Sequence, residues 1–542
     1  MQFHSKTVTI LIFLWILLIL LAPIKTPFNY YDEGFAVFNA TRVMDGDVPY
    51  RDFWAIYPPG QFYALAAIFR IFGTTLLVAR IYDTIVRFVI VISVYLIAKK
   101  TTTRPLALLV CIVTTLLLAS ARSYAYAVFP SLALGLLSIL SLLEHVNTGQ
   151  RRWLLLAGLL IGTATLFRLD IGLYTCISVV FTIILFRGFR IVQEAKSPIK
   201  ALFATSELLV ILLGAVLLIV LPCYGYLGIR SGFNNLWTQV VIIPTTVFHD
   251  VRWKPYPTII PSIFPFTVGI STFGSVYPEL LDWLQFYLPL VIYGIAFSHY
   301  GLSFLKKRIT FNTRYFGTTA LTILGVLLFA PALSRYDYIH VVPSSIIAFL
   351  VVIPLVHHVI INIQNLVIKY SFLLLLTILV FLYFLSPIRI LLSSTNNFSP
   401  LRCYSHLDRA SCIFLGRDQE QAVEYIRTHT LDGESIFVGN RRHDLIFAND
   451  IGFYFLSNRP SATKYHELHP GVATTRSVQE VIVYDIESKN VNWIVLVYVH
   501  ESEEPNASAV SSGVHFLDDF IRSKYVQVAE FGNYGIWKRV TK

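Results

Sequence analysis

Eleven stretches of apolar sequence, most of them close to 20 residues long, constrain this chain more than any other feature. They fall at about 7–24, 76–98, 105–121, 124–145, 152–168, 171–188, 204–228, 284–305, 315–333, 339–360 and 366–391. An α-helix needs about 20 apolar residues to cross roughly 30 Å of hydrocarbon. Lipid offers a backbone no water, so each crossing run must satisfy its own hydrogen bonds as a helix. The expected fold class is an α-helical polytopic membrane protein with about 11 transmembrane helices, and the mean hydropathy of +0.64 agrees. The first run, TVTILIFLWILLILLAPI, lacks a small-x-small cleavage site and is longer than the apolar core of a signal peptide, so it is expected to stay as a helix.

A net charge of +11 invites a nucleic-acid reading, but its distribution argues against that partner. From residue 392 onward there are 15 Lys+Arg against 18 Asp+Glu, whereas residues 1 to 391 hold 28 against 14. The cations gather in short loops on one side of the apolar runs: Lys99, Lys100 and Arg104; Arg151 and Arg152; Arg187, Arg190, Lys196 and Lys200; Lys306, Lys307, Arg308 and Arg314. This is the positive-inside pattern of a chain embedded in a lipid bilayer, and it predicts a cytoplasmic N-terminus. Of the 14 acids, only Glu144, Glu194 and Glu207 map to the inner side. The expected location is the plasma (inner) membrane, with the C-terminal region extracytoplasmic.

Three outer segments exceed mere connections. Residues 25–75 form an opening loop in which EGFAVFNATRVM and QFYALAAIFRIFG show helical spacing but are too short to span, so both are expected to lie along the membrane surface. Residues 229–283 form a second loop rich in Pro and aromatic residues. The tail from 392 alternates helical pattern (DQEQAVEYIRTHT) with β-branched and aromatic runs (SIFVG, VNWIVLVYV), which predicts a soluble α/β unit. The expected division is thus a membrane domain, 1–391, and an extracytoplasmic domain, 392–542.

Chemistry concentrates in the opening loop. Asp32 and Glu33, in YYDEG, follow the first span by a few residues, where ionisable groups are costly unless paired or used. A partly desolvated carboxylate gains basicity and is suited to take a proton from a hydroxyl; the plainer alternative is a cap on the helix that follows. Arg51 and Asp52 then form a second polar cluster before Tyr57 and the YPPG turn. Arg80 and Asp83, Arg122 with Tyr124 and Tyr126, Arg168 and Asp170, and Arg335 with Asp337 and His340 all map to the same outer depth. Singly, each reads as a snorkelling side chain or a local ion pair. Together, guanidinium groups suit a phosphate, and carboxylates beside them suit sugar transfer from a lipid phosphate. The carboxylate oxygens of Asp32 and Glu33 could also hold a divalent cation.

The order of first span, YYDEG, DGDVPYRDFW, YPPG and an ARIYD-type span resembles the GT-C superfamily of membrane glycosyltransferases, in the branch of the protein O-mannosyltransferases and the aminoarabinose transferase of lipid A. The resemblance implies an inverting transfer from a polyprenyl-phosphate sugar donor to a lipid, glycan or protein acceptor on the outer face. It places Asp32 at the catalytic acid/base position with Glu33 its neighbour. From the shared depth of the arginines, some of Arg51, Arg80, Arg122, Arg168 and Arg335 are expected to hold the donor phosphate. Asp52, Tyr57, Asp83, Asp170, Asp337 and His340 would support them. Eleven runs are fewer than the thirteen spans of the closest described relatives, so the acceptor class does not carry over. Two rivals are a lipid-linked glycan flippase, for which Arg87 would be a charge at membrane depth, and a non-catalytic cell-envelope assembly protein.

Five cysteines give no zinc pattern. Cys403 and Cys412, nine apart in the tail, could pair in an oxidising compartment. His443, His466 and His469 with Glu467 (KYHELHP) lack ligand spacing and are expected in a solvated loop.

Overall fold

A computed structural model describes residues 2–194, 198–256, 273–305 and 313–540. Lys196, Lys306, Lys307 and Arg308 lie outside the described residues, as does part of the second outer loop. Every predicted apolar run lies in helix. Among the described residues, eight helices are long and apolar enough to cross a membrane: Thr7–Lys25, Leu76–Thr101, Val128–Thr148, Leu169–Gly188, Thr205–Ser231, Thr313–Ser334, Tyr338–Asn362 and Leu366–Asn397. The other three runs of the expected eleven are the 17-residue helices Arg104–Ser120 and Arg151–Phe167, and Phe273–Leu305. Arg104–Ser120 is nonetheless apolar and packs inside the bundle through Val110, Cys111, Leu117 and Leu118. Lys100 pairs with Glu144 at 2.8 Å and Arg151 with Glu207, so residues expected on the inner side meet at one end of the bundle.

At the other end, the opening loop folds under the C-terminal region. The helix Asp32–Met44 differs from its expected place on the membrane surface: Glu33 to Thr41 are all buried. One side packs on the second loop helix, Gly60–Phe72, through Phe35 and Phe62 at 5.4 Å. The other meets the C-terminal region, with Phe38 stacked on Tyr454 at 4.9 Å. A Cβ on Gly34 would collide with the backbone of Gly452, so the last residue of YYDEG must be glycine for this approach. Gly60–Phe72 exposes Ile71 and Phe72 and buries Phe62, Leu65 and Phe69.

The C-terminal region is built on a four-stranded sheet of order β1-β2-β4-β3, comprising β1 (Phe437–Asn440), β2 (Trp493–Val497), β3 (Tyr525–Phe531) and β4 (Tyr534–Arg539). β1 and β2 are parallel; β2–β4 and β4–β3 are antiparallel, the last pair closed by the two-residue turn Gly532-Asn533. β2 is buried along its length and alternates as a strand must. Trp493, Val495 and Val497 face the core shared with helix Arg417–His429 and the opening loop. Ile494 and Leu496 face the core under helices Arg476–Ser488 and Phe516–Lys524. The sheet therefore shares one hydrophobic cluster with the loop that carries Asp32.

Cys403 and Cys412 are joined as a disulfide. Thiol labelling of the denatured protein is expected to rise by two groups per chain after reduction; an unchanged count would disprove the bridge.

Candidate active site

The opening loop, the short helix Val247–Arg252, the start of helix Tyr338–Asn362 and the segment after β1 converge on a cleft of about 370 Å³. Asp32, Tyr57, Arg168, Arg335, Asp337 and His340 line it, as do Tyr31, Tyr126, Arg252 and Glu467.

Asp32 opens the first loop helix, yet Asn29 does the capping. The Asn29 Oδ1 accepts from the backbone N–H groups of Tyr31 and Asp32 at 2.9 and 2.8 Å. The Asp32 carboxylate therefore points elsewhere, its Oδ2 accepting from the Tyr126 hydroxyl at 3.1 Å and from Asn29 Nδ2 at 3.2 Å. Burial raises its pKa above the ordinary aspartate value; the Tyr126 bond and the Arg252 charge act against that rise without cancelling it.

Glu33, expected beside Asp32 in the site, turns the other way because successive helix positions diverge by about 100°. Both its oxygens accept from Arg80 at 2.7 Å, and both side chains are fully enclosed. Arg80 also donates to the carbonyls of Ile24, Thr26 and Pro27, so it ties the end of the first span to the loop and has no donor left for a phosphate. Asp83 likewise pairs inside the bundle with Arg87 at 2.7 Å. Arg87 further donates to the carbonyls of Leu118, Ala121 and Arg122, which satisfies the charge that suggested a transport path. Arg51 grips Asp52 at the surface, away from the cleft, and Arg122 is exposed with Nη1 on the Tyr124 hydroxyl. These six expected site residues, Glu33, Arg51, Asp52, Arg80, Asp83 and Arg122, lie outside the cleft lining, each with a neighbouring partner.

Two expected arginines do line the cleft, each already paired. Arg168 holds Asp170 through two bonds, 3.0 and 2.6 Å, and lies over the Tyr57 ring. Arg335 donates to Asp337 at 2.9 Å and to both Glu504 oxygens at 2.9 and 2.7 Å. Burial pushes Asp337 upward, but His340 and Arg335 outweigh it and hold the acid below its usual range. Glu504 falls to about 2 for a similar reason: its bonds to Arg335 and Lys254 outweigh burial.

Arg252 escaped the sequence reading. It is 7% exposed, and its Nη2 donates to the Phe447 carbonyl at 2.9 Å and the Tyr31 hydroxyl at 3.1 Å. Its guanidinium lies over the Tyr31 and Phe447 rings. No carboxylate pairs with it among the described residues, in contrast to Arg168 and Arg335. The signal was a lone cation among aromatics, HDVRWKPYP, in an outer loop.

The KYHELHP segment is a correction. His466, Glu467 and His469 are all buried rather than solvated. His466 is held by Asn39 at 2.8 Å and Arg42 at 3.2 Å, and His469 lies against Trp54 and Phe248. Burial pushes His469 down to about 3 and lifts Glu467 to about 8. These partners all come from other parts of the chain, so no local pattern announces them.

Of the two expected cation ligands, only Asp32 faces the cleft. Asp444, His515 and Asp518 of the C-terminal region come together with ligating atoms within 4.8 Å, an arrangement compatible with a divalent cation. Arg442 and His443 already hold those two acids, at 2.8 and 2.7 Å.

Residues 57–223 match the family of dolichyl-phosphate-mannose-protein mannosyltransferases. Asp32 lies outside that stretch. No curated protein sequence matches the chain. Among solved structures, the Archaeoglobus fulgidus oligosaccharyltransferase tethered to an acceptor peptide is similar over 92% of this chain and 70% of that one, at TM-score 0.53 and 13% identity. ArnT from Cupriavidus metallidurans bound to undecaprenyl phosphate is similar over 99% of both chains, at TM-score 0.51 and 12% identity. The family match over residues 57–223 and the fold shared with both solved structures make this chain similar to the GT-C membrane glycosyltransferases.

Proposed function

We propose that the protein transfers a sugar from a polyprenyl-phosphate donor to a hydroxyl of a lipid, glycan or protein acceptor at the outer face of the plasma membrane. The observation that carries this reading is a carboxylate of raised basicity, Asp32, lining the same cleft as Arg252, an arginine without an acid partner among the described residues. The undecaprenyl phosphate bound to the similar ArnT structure supports the donor class. The Cys403–Cys412 bridge supports an oxidising compartment around the cleft.

In the proposed step, Asp32 takes the acceptor hydroxyl proton as that oxygen bonds to the anomeric carbon. The carbon–oxygen bond to phosphate breaks, and its electron pair leaves with the phosphate. The developing negative charge falls on Arg252, which binds it without first surrendering a carboxylate. Arg168 and Arg335 add positive potential, each offset by its own acids. Asp32 then releases its proton to the departing phosphate or to water. Exposed apolar faces, such as that bearing Ile71 and Phe72, are suited to the isoprenoid and the bilayer.

The direct test supplies full-length protein in lipid with labelled undecaprenyl-phosphate sugars and follows label into acceptor. Turnover by the wild type is expected. Arg252→Ala is expected to raise the donor KM by roughly 10- to 100-fold, the range for losing a charge-assisted contact of about 1.5–3 kcal/mol, with Arg252→Lys in between. Wild-type affinity in Arg252→Ala would remove that arginine from the donor site.

A further inference from the structure

Glu467 belongs to the C-terminal region, yet it lines the cleft beside Asp32 and Arg252. It is 2% exposed. Its Oε1 accepts from the Tyr31 hydroxyl at 3.0 Å, while Oε2 is enclosed and has no hydrogen-bond partner among the described residues. An unsatisfied buried carboxyl oxygen is costly, more so if charged, so a well-packed segment that retains one calls for an explanation. The packing around it is firm: His466 and His469 on either side are fixed by Asn39, Arg42, Trp54 and Phe248. Glu467 is thus delivered to the cleft rather than left there by a loose loop.

The Tyr31 hydroxyl links Glu467 to Arg252, accepting from the Arg252 Nη2 at 3.1 Å and donating to Glu467. A phosphate on Arg252 would therefore stand one hydroxyl away from Glu467, and the sugar it carries is the next group along the donor. Resting on the transferase reading, we infer that Glu467 is a specificity residue which binds a hydroxyl of the donor sugar through its free Oε2. The C-terminal region would then complete the site rather than merely cover it.

Protonation fits this role. Loss of water is the main cause that lifts Glu467 to about 8; the Tyr31 bond and the Arg252 charge only partly oppose it, and Asp32 adds to it. At neutral pH the acid holds its proton, so Oε2–H can donate to a sugar oxygen while Oε1 still accepts from Tyr31. The groups facing it are Tyr31, Tyr57, Asp32 and Arg252, with His466 and His469 on its own segment held neutral by burial. As pH rises through about 8, ionisation removes the donor and sets a second negative charge beside Asp32, so donor binding and transfer should fall.

The test compares undecaprenyl phosphate with an undecaprenyl-phosphate sugar that the wild type turns over. Glu467→Ala is expected to weaken binding of the sugar-bearing lipid about tenfold and to leave bare undecaprenyl phosphate unchanged, whereas Arg252→Ala weakens both. Glu467→Gln retains a donor and an acceptor in place. It should keep kcat/KM within a few fold at pH 7 and lose the alkaline decline near pH 8. This variant decides the matter if Glu467→Ala does not fold. Equal weakening of both lipids by Glu467→Ala, or an alkaline limb unchanged in Glu467→Gln, would overturn the inference while leaving the transferase reading intact. A wild type that binds neither lipid would overturn that reading and this one together.

Discussion

Asp32→Asn is expected to lower kcat by about 10²–10⁴-fold, the usual worth of a positioned general base, with little change in donor binding or thermal stability. Asn preserves the shape and can still meet the Tyr126 hydroxyl and Asn29, the two side-chain partners of the carboxylate. What it loses is the ability to accept a proton. The wild-type rate should also fall as pH drops through the raised pKa of Asp32, because protonation removes the base. That acid limb lies above the ordinary aspartate value and should vanish in the residual activity of the variant. Near-normal turnover in folded Asp32→Asn would remove Asp32 from the mechanism.

The adjacent residue should behave in the opposite way. Glu33→Ala is expected to destabilise the protein by about 3–5 kcal/mol, because it strands the enclosed Arg80 charge without the carboxylate that holds it. The carbonyls of Ile24, Thr26 and Pro27 remain on Arg80 but cannot neutralise it. Melting in detergent should shift sharply downward, with loss of folded protein from the membrane. A paired Glu33→Leu and Arg80→Met variant should recover much of the stability, since a buried ion pair can often be exchanged for packed apolar groups. An unchanged melting temperature in Glu33→Ala would contradict the structural role. Two neighbouring acids would then be separated by experiment into a chemical one and a structural one.

Asp32 and Glu33 also show how far the sequence reaches. Their position just after a span marked both as costly charges that must be paired or used. Which was which depended on how the helix is rotated at these two adjacent positions and on Asn29 taking the capping task, and neither is visible in a residue string. The arginines divide in the same way. Depth along the chain placed Arg80, Arg168 and Arg335 near the outer surface, but ion-pair partners decided which retained charge for a ligand. Asp170 lies two residues from Arg168, so that pairing was legible; Glu33 is 47 residues from Arg80 and Glu504 is 169 from Arg335, so those were not. Arg252 was passed over because a single cation in a loop carries no pattern of its own.

KYHELHP marks the largest gap between the two. Polar composition and absent periodicity describe a solvated loop when contacts are local, whereas here Asn39, Arg42, Trp54, Tyr31 and Phe248, all distant in sequence, hold the segment, with Asn449 beside His466. The sequence by itself determined the helical membrane architecture, the grouping of charges toward one end and the strands of the C-terminal sheet. Those properties follow from hydropathy and backbone periodicity, which act over a few residues at a time. Only the tertiary structure decided that the C-terminal region closes over YYDEG, that Arg252 has no acid partner among the described residues, and that Glu467 enters the cleft. These depend on long-range packing, where one close approach such as Gly34 on Gly452 fixes which side chains meet and which remain free to bind substrate.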